Sequence, residues 1–304
     1  MNHLVAVIGP TATGKSDLAV RLAQSFGGEI VSADSRQVYR LMDIGTAKPS
    51  PDDLSLVPHH LINIVDPDED FSLAQYQELA FRTIDGIHRR GKPALLAGGS
   101  GLYVRAVLEG WGIPKVAPDT AFRDKLEKRA EDGGGEELYR ELVAIDPEAA
   151  GRIDGRNTRR VIRALEIFAR GTTANGPAEN QPPPYKTLII GLTAPRDELY
   201  RRIDNRVDRM IENGLVEEVK KLTAAGYTLD LPSMSGIGYQ QIGQYLNGSL
   251  SRDAAVYQIK TETHRLVRQQ YNWFKLEDKR INWFDITGDY ETDVSKLVTA
   301  HLAD

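Results

Sequence analysis

Apolar residues follow two rhythms along the chain. Short, nearly unbroken apolar runs at 5–8, 29–32, 61–65, 93–97, 187–192 and 281–286 are bounded by glycine, proline or polar turns. Runs of that length predict strands buried on both faces, the pattern of a parallel sheet covered by helices. Between them apolar residues recur every three or four positions. Leu18, Ala19, Leu22 and Ala23 define a helix after Gly14. The stretch 73–90 predicts another, with Ser72 and Gln75 spaced as a capping box and Arg89, Arg90 and Gly91 closing it. The strand rhythm lapses between 113 and 185, where helices are expected over 119–131, 136–144 (after the Gly133, Gly134, Gly135 break) and 157–169, with Asn157 as N-cap. A polar, proline-rich stretch, 171–185, leads back to the sheet as an expected mobile linker. The expected fold is α/β, a parallel-sheet core of the P-loop NTPase type flanked by helices over 1–112 and 186–304, with an all-helical insertion domain over 113–185.

The 304 residues, 41% of them hydrophobic, suffice for a full α/β core plus a second unit. A net charge of −5 confines any nucleic-acid surface to a local basic patch. The absence of cysteine excludes disulfides, thiolate zinc sites and thiol catalysis. Six scattered histidines form no metal pattern, and no leader or membrane span is apparent. The expectation is a soluble, unprocessed cytoplasmic protein with no membrane partner.

The sharpest chemical signal sits where the first strand meets the first helix. Gly9, Pro10, Thr11, Ala12, Thr13, Gly14, Lys15 and Ser16 spell Gly-x4-Gly-Lys-Ser. Such a loop turns successive backbone N–H groups toward one spot, adds the positive end of a helix, and supplies a lysine charge and a hydroxyl for Mg²⁺. The ligand should carry a di- or triphosphate. Asp34, just past the second run, suits a general base toward an acceptor, a Mg²⁺ ligand or a helix cap. Asp66 competes for the metal role. Ser100, inside Gly98-Gly99-Ser100-Gly101, could meet a substrate at a tight turn or simply occupy it. On the helix expected over 196–213, Arg206 lies nearest the apolar face and could clamp a diphosphate through its fork of donors. Residues 152–170 hold six arginines against two acids, among them the Arg159, Arg160 and Arg163 stripe, which reads as an RNA-backbone footprint or as an ordinary charged face. Lys260, His264, Arg265 and Arg268 share a later helical face ahead of Tyr271, Trp273 and Phe274, aromatics more typical of core than of base stacking.

Taken together, the 9–16 loop, Ser32 to Tyr39, Met42 to Pro49, Gly98 to Tyr103, Arg163 to Glu166, Gly236 to Tyr239 and Gln270 to Phe274 closely resemble the tRNA dimethylallyltransferase family over nearly the whole chain. The resemblance implies transfer of a dimethylallyl group from dimethylallyl diphosphate to N6 of adenosine 37 in tRNA. The 9–16 loop would hold the diphosphate with Mg²⁺ on Ser16, Arg206 would bind the same diphosphate, Asp34 would be the base, and Ser100 would stand where the family often has threonine. It further implies that tRNA is met by Asp34, Ser35, Arg36 and Gln37, by Ser100 and Arg123, by Arg159, Arg160, Val161, Ile162 and Arg163, and by Ser235, Gly236, Ile237, Gly238, Tyr239 and Gln240. The insertion becomes a clamp on the anticodon stem, and the protein is expected to act as a monomer. His264 and Gln269 stand where the family usually has arginine. No zinc finger of the eukaryotic kind is present, which favours the bacterial type. The rival readings are an adenylate isopentenyltransferase acting on free nucleotide, a P-loop nucleotide kinase, and a non-catalytic RNA-binding switch.

Overall fold

The computed structural model describes residues 2–114, 119–171 and 180–304. The chain divides into two compact units, one formed by Met1–Leu108 with Pro184–Asp304 and the other by Glu109–Pro183.

The first unit is built on six parallel strands: β1 (His3–Ile8), β2 (Glu29–Ser32), β3 (His59–His60), β4 (Ala94–Gly98), β5 (Lys186–Thr193) and β6 (Ile281–Asp285), in the order β3-β2-β4-β1-β5-β6. The central strands are apolar on both faces because helices cover both: all of β1 is buried, as are Ile30, Val31, Leu95, Leu96 and Ile190. Register decides where the chemistry goes. Ile8 is level with Gly98 and Gly191, and Ser32 with Ala97, so the 9–16 loop, Asp34 and the Gly99–Ser100 turn emerge together at the carboxyl edge. Ligands of open α/β sheets sit at that edge.

One predicted strand is corrected. The run 61–65 is not extended, because Leu61 (φ 62°) and Asn63 (φ 57°) adopt left-handed backbone, which breaks a ladder. The third strand is instead His59–His60, beside Ile30 and Val31, and Val65 makes a single bridge to Tyr39. The capping box at Ser72 and Gln75 forms and opens the Leu73–Arg89 helix.

In the second unit, helices Thr120–Arg129, Gly135–Ile145, Pro147–Arg152 and Thr158–Ala169 enclose a core of Leu126, Leu138, Leu142, Ala150, Val161, Ile162, Ala164 and Leu165. Asp119 and Asn157 cap the first and last of these through their side chains. The glycine break appears as a wide turn over Ala130–Gly134, with Gly133 at φ 93°. The Pro147–Arg152 helix, capped by Asp146, was not expected from apolar spacing, since a single turn and a half is too short to show a period. Of the expected linker, 172–179 lie outside the described residues. Among the described residues no helix is long and apolar enough to cross a membrane.

Candidate active site

The loop that leaves β1 turns into helix Lys15–Phe26 through Gly14, whose φ of 79° is the left-handed backbone that favours glycine. The buried Thr13 hydroxyl donates to the Pro10 carbonyl at 2.9 Å, and Lys15 Nζ donates to the same oxygen at 2.5 Å. Ser16 is exposed on the first turn. Burial pushes the Lys15 ammonium down to about 7; the Arg206 guanidinium pushes the same way and Asp34 opposes it. Arg206, half-buried on helix Arg196–Glu212, donates from Nη1 to Thr11 Oγ1 at 3.4 Å. Its own pKa is lowered, chiefly by burial. Among the described residues neither cation has a carboxylate within ion-pair distance. Two partly desolvated cations beside a loop of N–H groups form a place for an anion.

Asp34 and Ser100 meet on the other side of the loop. Asp34 Oδ1 accepts the backbone N–H groups of Arg36 (2.8 Å) and Gln37 (3.4 Å), and Oδ2 has no protein hydrogen-bond partner among the described residues. Ser100 Oγ accepts the Ser35 N–H at 2.9 Å and donates to Ser35 Oγ at 3.2 Å. These bonds stitch the ends of β2 and β4 together.

Two cavities meet here. One, of about 410 Å³, runs from Thr11, Asp34, Ser100 and Arg206 past Gly45, Thr46 and Ser235–Tyr239 to an apolar wall of Ile203, Val207, Ile259, Leu266 and Trp273. The other, of about 1050 Å³, opens over Lys15, Ser16, Lys48, Arg201, Arg202 and Arg209. They share Thr11, Asp34, Thr46, Gly99, Arg206, Met210 and Gln270. A basic mouth and a mixed polar and apolar mouth therefore converge on one carboxylate.

Two residues that motif reading quoted without a role hold this place together. Gln270, buried, accepts the Thr11 N–H on Oε1 (2.9 Å) and donates from Nε2 to the Gly99 carbonyl (3.0 Å), tying the 9–16 loop to the serine turn. Lys48 donates to the Tyr39 carbonyl (2.5 Å), Asp43 (2.7 Å) and Asn63 (2.5 Å). A polar residue on a mostly buried helix face was the available signal for Gln270.

Other expected residues take different places. Arg36 turns back on the protein, donating to the Pro232 carbonyl at 2.8 Å and to Ser235 Oγ at 3.4 Å. Gln37 is buried and donates to the Ala47 carbonyl at 3.2 Å. Gly236, Gly238 and Tyr239 are buried, Ile237 is half-buried, and Ser235 and Gln240 are exposed. Asp66 accepts from Arg40 at 3.0 Å and lines neither cavity, so the structure does not bring it to Ser16. Among the described residues no cluster of three or more metal-ligating side chains is found. Most of the late basic face bonds within the protein: Lys260 pairs with Asp208, His264 with Asp204 at 2.9 Å while stacking on Tyr200, and Arg268 donates to the Tyr200 hydroxyl, whereas Arg265 is exposed and lies 3.8 Å from Glu262. Gln269 lines the smaller cavity, and Phe274 is core.

In the second unit Val161 and Ile162 are core residues, so any contact they offer RNA is not through their side chains. Arg123 makes two hydrogen bonds to buried Glu166, at 3.0 and 2.8 Å, and Arg163 pairs with the same carboxylate. Arg159 and Arg160 are exposed.

Residues 37–277 match the family model described as IPP transferase. The chain belongs to the IPP transferase family. Among relatives, a tRNA dimethylallyltransferase of Thermomicrobium roseum is 51% identical over 293 residues, covering 95% of this chain and 88% of the relative. One of Dehalococcoides mccartyi is 47% identical over 302 residues, covering 99% and 93%. The crystal structure of a full-length tRNA isopentenylpyrophosphate transferase from Bacillus halodurans is similar with a TM-score of 0.74 at 40% identity, covering 100% of this chain and 97% of that one. A eukaryotic dimethylallyltransferase acting on tRNA gives a TM-score of 0.80 at 27% identity, covering 99% and 78%.

Proposed function

We propose that this member of the IPP transferase family transfers the dimethylallyl group of dimethylallyl diphosphate to N6 of adenosine 37 in the anticodon loop of tRNA. The observation that carries the reading is the convergence of a basic cavity and a half-apolar cavity on Asp34. The diphosphate lies on the 9–16 loop with Lys15 and Arg206, and the extruded adenine enters from the side of Ser100 and Ser235–Tyr239. In the chemical step the N6 nitrogen bonds to C1 of the donor as the C1–O bond breaks and diphosphate departs. The N6 proton passes to the Asp34 carboxylate, whose Oδ1 is fixed by two backbone N–H groups while Oδ2 is left for the amine. Lys15 and Arg206 face the charge that grows on the leaving group. The Ser100 hydroxyl orients the amine.

Mg²⁺ fits the donor set: one exposed hydroxyl, Ser16, beside a phosphate-binding loop suits a cation that takes few protein ligands and fills its shell with phosphate oxygens and water. When bound it neutralises diphosphate charge. Arg159 and Arg160 are the main phosphate-contacting pair of the second unit, and Arg123 and Arg163, already paired with Glu166, contribute less. The protein acts as a cytoplasmic monomer.

The test is one assay with radiolabelled donor offered unmodified tRNA, AMP or no acceptor. Label in tRNA alone is expected. Label in AMP would move the reading to a free-nucleotide enzyme, and phosphoryl transfer from ATP to a nucleotide would move it to a kinase.

A further inference from the structure

We infer that Glu218 is a positioning residue for the acceptor side of the cavity, one carboxylate that fixes two of its walls and, through Gln37, the turn carrying Asp34. The inference rests on the prenyl-transfer reading and adds to it a residue that touches neither substrate.

Glu218 lies on helix Leu215–Ala224 and lines neither cavity. Its Oε2 accepts the backbone N–H groups of Asp43 (2.9 Å) and Ile44 (2.8 Å); its Oε1 accepts the Gly45 N–H (3.1 Å) and the Tyr239 hydroxyl (2.6 Å). Three consecutive N–H groups pointing at one spot make an anion nest, and here the anion is the protein's own. The four bonds fill the four lone-pair positions of a carboxylate, each assisted by its charge.

The consequence for the cavity is direct. Gly45 and Tyr239 both line it, and they pack so closely that a Cβ on Gly45 would lie 2.5 Å from the Tyr239 ring. Burial first, and then Glu218, raise the Tyr239 hydroxyl well above its ordinary pKa, keeping it a donor. The next residues in the loop carry the constraint onward. Thr46 and Ala47 offer their carbonyls to Gln37 Nε2 at 3.5 and 3.2 Å, and the Gln37 N–H is one of the two held by Asp34. Removing the carboxylate would free the 43–45 backbone, the Tyr239 ring and the turn of the base together.

Glu218→Gln is a demanding test because the shape is kept. Whichever way the amide turns, its NH₂ group replaces an oxygen that faces two donors. With tRNA as acceptor, kcat is expected to fall at least about tenfold and the backbone amides of 43–45 to exchange at least about tenfold faster, while donor Kd, which senses only the Asp43 and Ile44 edge of the basic cavity, rises by a smaller factor than kcat falls. Glu218→Asp, which keeps the charge, should recover part of both kcat and exchange protection. Unchanged kcat in the folded Gln variant, or faster exchange with no change in kcat, would make Glu218 merely architectural and overturn the inference. Should the Gln variant not fold, the Asp variant decides: wild-type kcat and wild-type exchange at 43–45 would overturn it as well. Wild type that labels AMP instead of tRNA defeats the acceptor reading alone, and the same comparison of kcat and exchange, made with AMP, then decides the role of Glu218.

Discussion

The cations of the two units are set against opposite backgrounds. Around the 9–16 loop, Lys15 and Arg206 are half-buried with no carboxylate at ion-pair distance among the described residues, and burial depresses both pKa values. In the helical unit, Arg123 and Arg163 surround Glu166, which is 1% exposed. Burial alone would raise the Glu166 carboxyl, but the donors of Arg123, the Asp119 N–H and Arg163 hold it down to about 2. The first arrangement leaves positive charge for a ligand to neutralise; the second neutralises it internally. A cluster of arginines in a sequence is thus no measure of the charge a surface offers, because one buried acid can claim two of them.

The largest effect that tests this contrast is expected from Asp34→Ala. It should lower single-turnover transfer by at least about 10²-fold with donor affinity nearly intact, since a base acts in the chemical step. Rapid-quench transfer and donor titration read the two separately, and normal turnover would remove Asp34 from the chemistry.

Next come the unneutralised cations. Lys15→Ala and Arg206→Ala should each weaken donor binding by about ten- to a hundredfold and slow transfer too, because both charges act before and during departure of the diphosphate. The Lys15 value of about 7 gives a sign as well. Charged lysine binds the anion, so donor affinity should be highest below about pH 7 and fall by up to tenfold per pH unit above it. Calorimetry across that range checks this, and a flat profile would show that Lys15 stays charged without its ligand.

Glu166→Gln addresses the other side of the comparison. It should destabilise the helical unit by about 3 kcal/mol, the cost of breaking a buried ion pair. With a folded-state pKa below the ordinary value of 4.5, the wild-type contribution is complete above about pH 4.5 and is lost as pH falls toward 2. Thermal unfolding of wild type and variant should therefore converge in acid. Parallel unfolding curves down to low pH would mean that the cluster stores no such stability.

The smallest effect expected is on RNA binding. Arg159→Ala with Arg160→Ala should flatten the slope of log tRNA affinity against log salt by about 0.7 to 0.9 per lost contact, with donor affinity unchanged. Arg123→Ala and Arg163→Ala should change it less. An equal loss from both pairs would break the distinction between the arginines paired with Glu166 and the exposed ones.

Strand and helix placement followed the apolar rhythm closely wherever local preference and burial agreed, as at Leu73–Arg89 with its capping box and at Thr158–Ala169 with Asn157. It failed at 61–65, where an apolar run reads as extended chain but Leu61 and Asn63 turn left-handed so that the loop can follow residues 37–40 through backbone bonds to Gln37, Val38 and Arg40. Those are tertiary bonds that hydrophobic spacing does not record. Val161 and Ile162 show a related limit: they sit between arginines in sequence, yet the helix turns them into the core while Arg159 and Arg160 stay outside.

By itself the sequence determined that a strand would run into a glycine-bearing loop and a helix, because glycine spacing, one lysine and one hydroxyl encode that turn within eight residues. It also determined the alternation that makes a parallel sheet, since burial on both faces demands continuous apolar runs. The tertiary structure decided which residues share a cavity. Parallel pairing placed Asp34, Ser100 and the loop at one sheet edge, and long-range bonds from Gln270 and Glu218 fixed the walls around them. It also decided which charges remain available: Arg123 meets Glu166 across 43 residues of chain, whereas Arg163 reaches the same carboxylate from three positions away on one helix. Local encoding is legible because its energetics act between near neighbours in sequence, whereas partners such as Thr11 and Gln270, 259 residues apart, become neighbours only when the sheet is assembled.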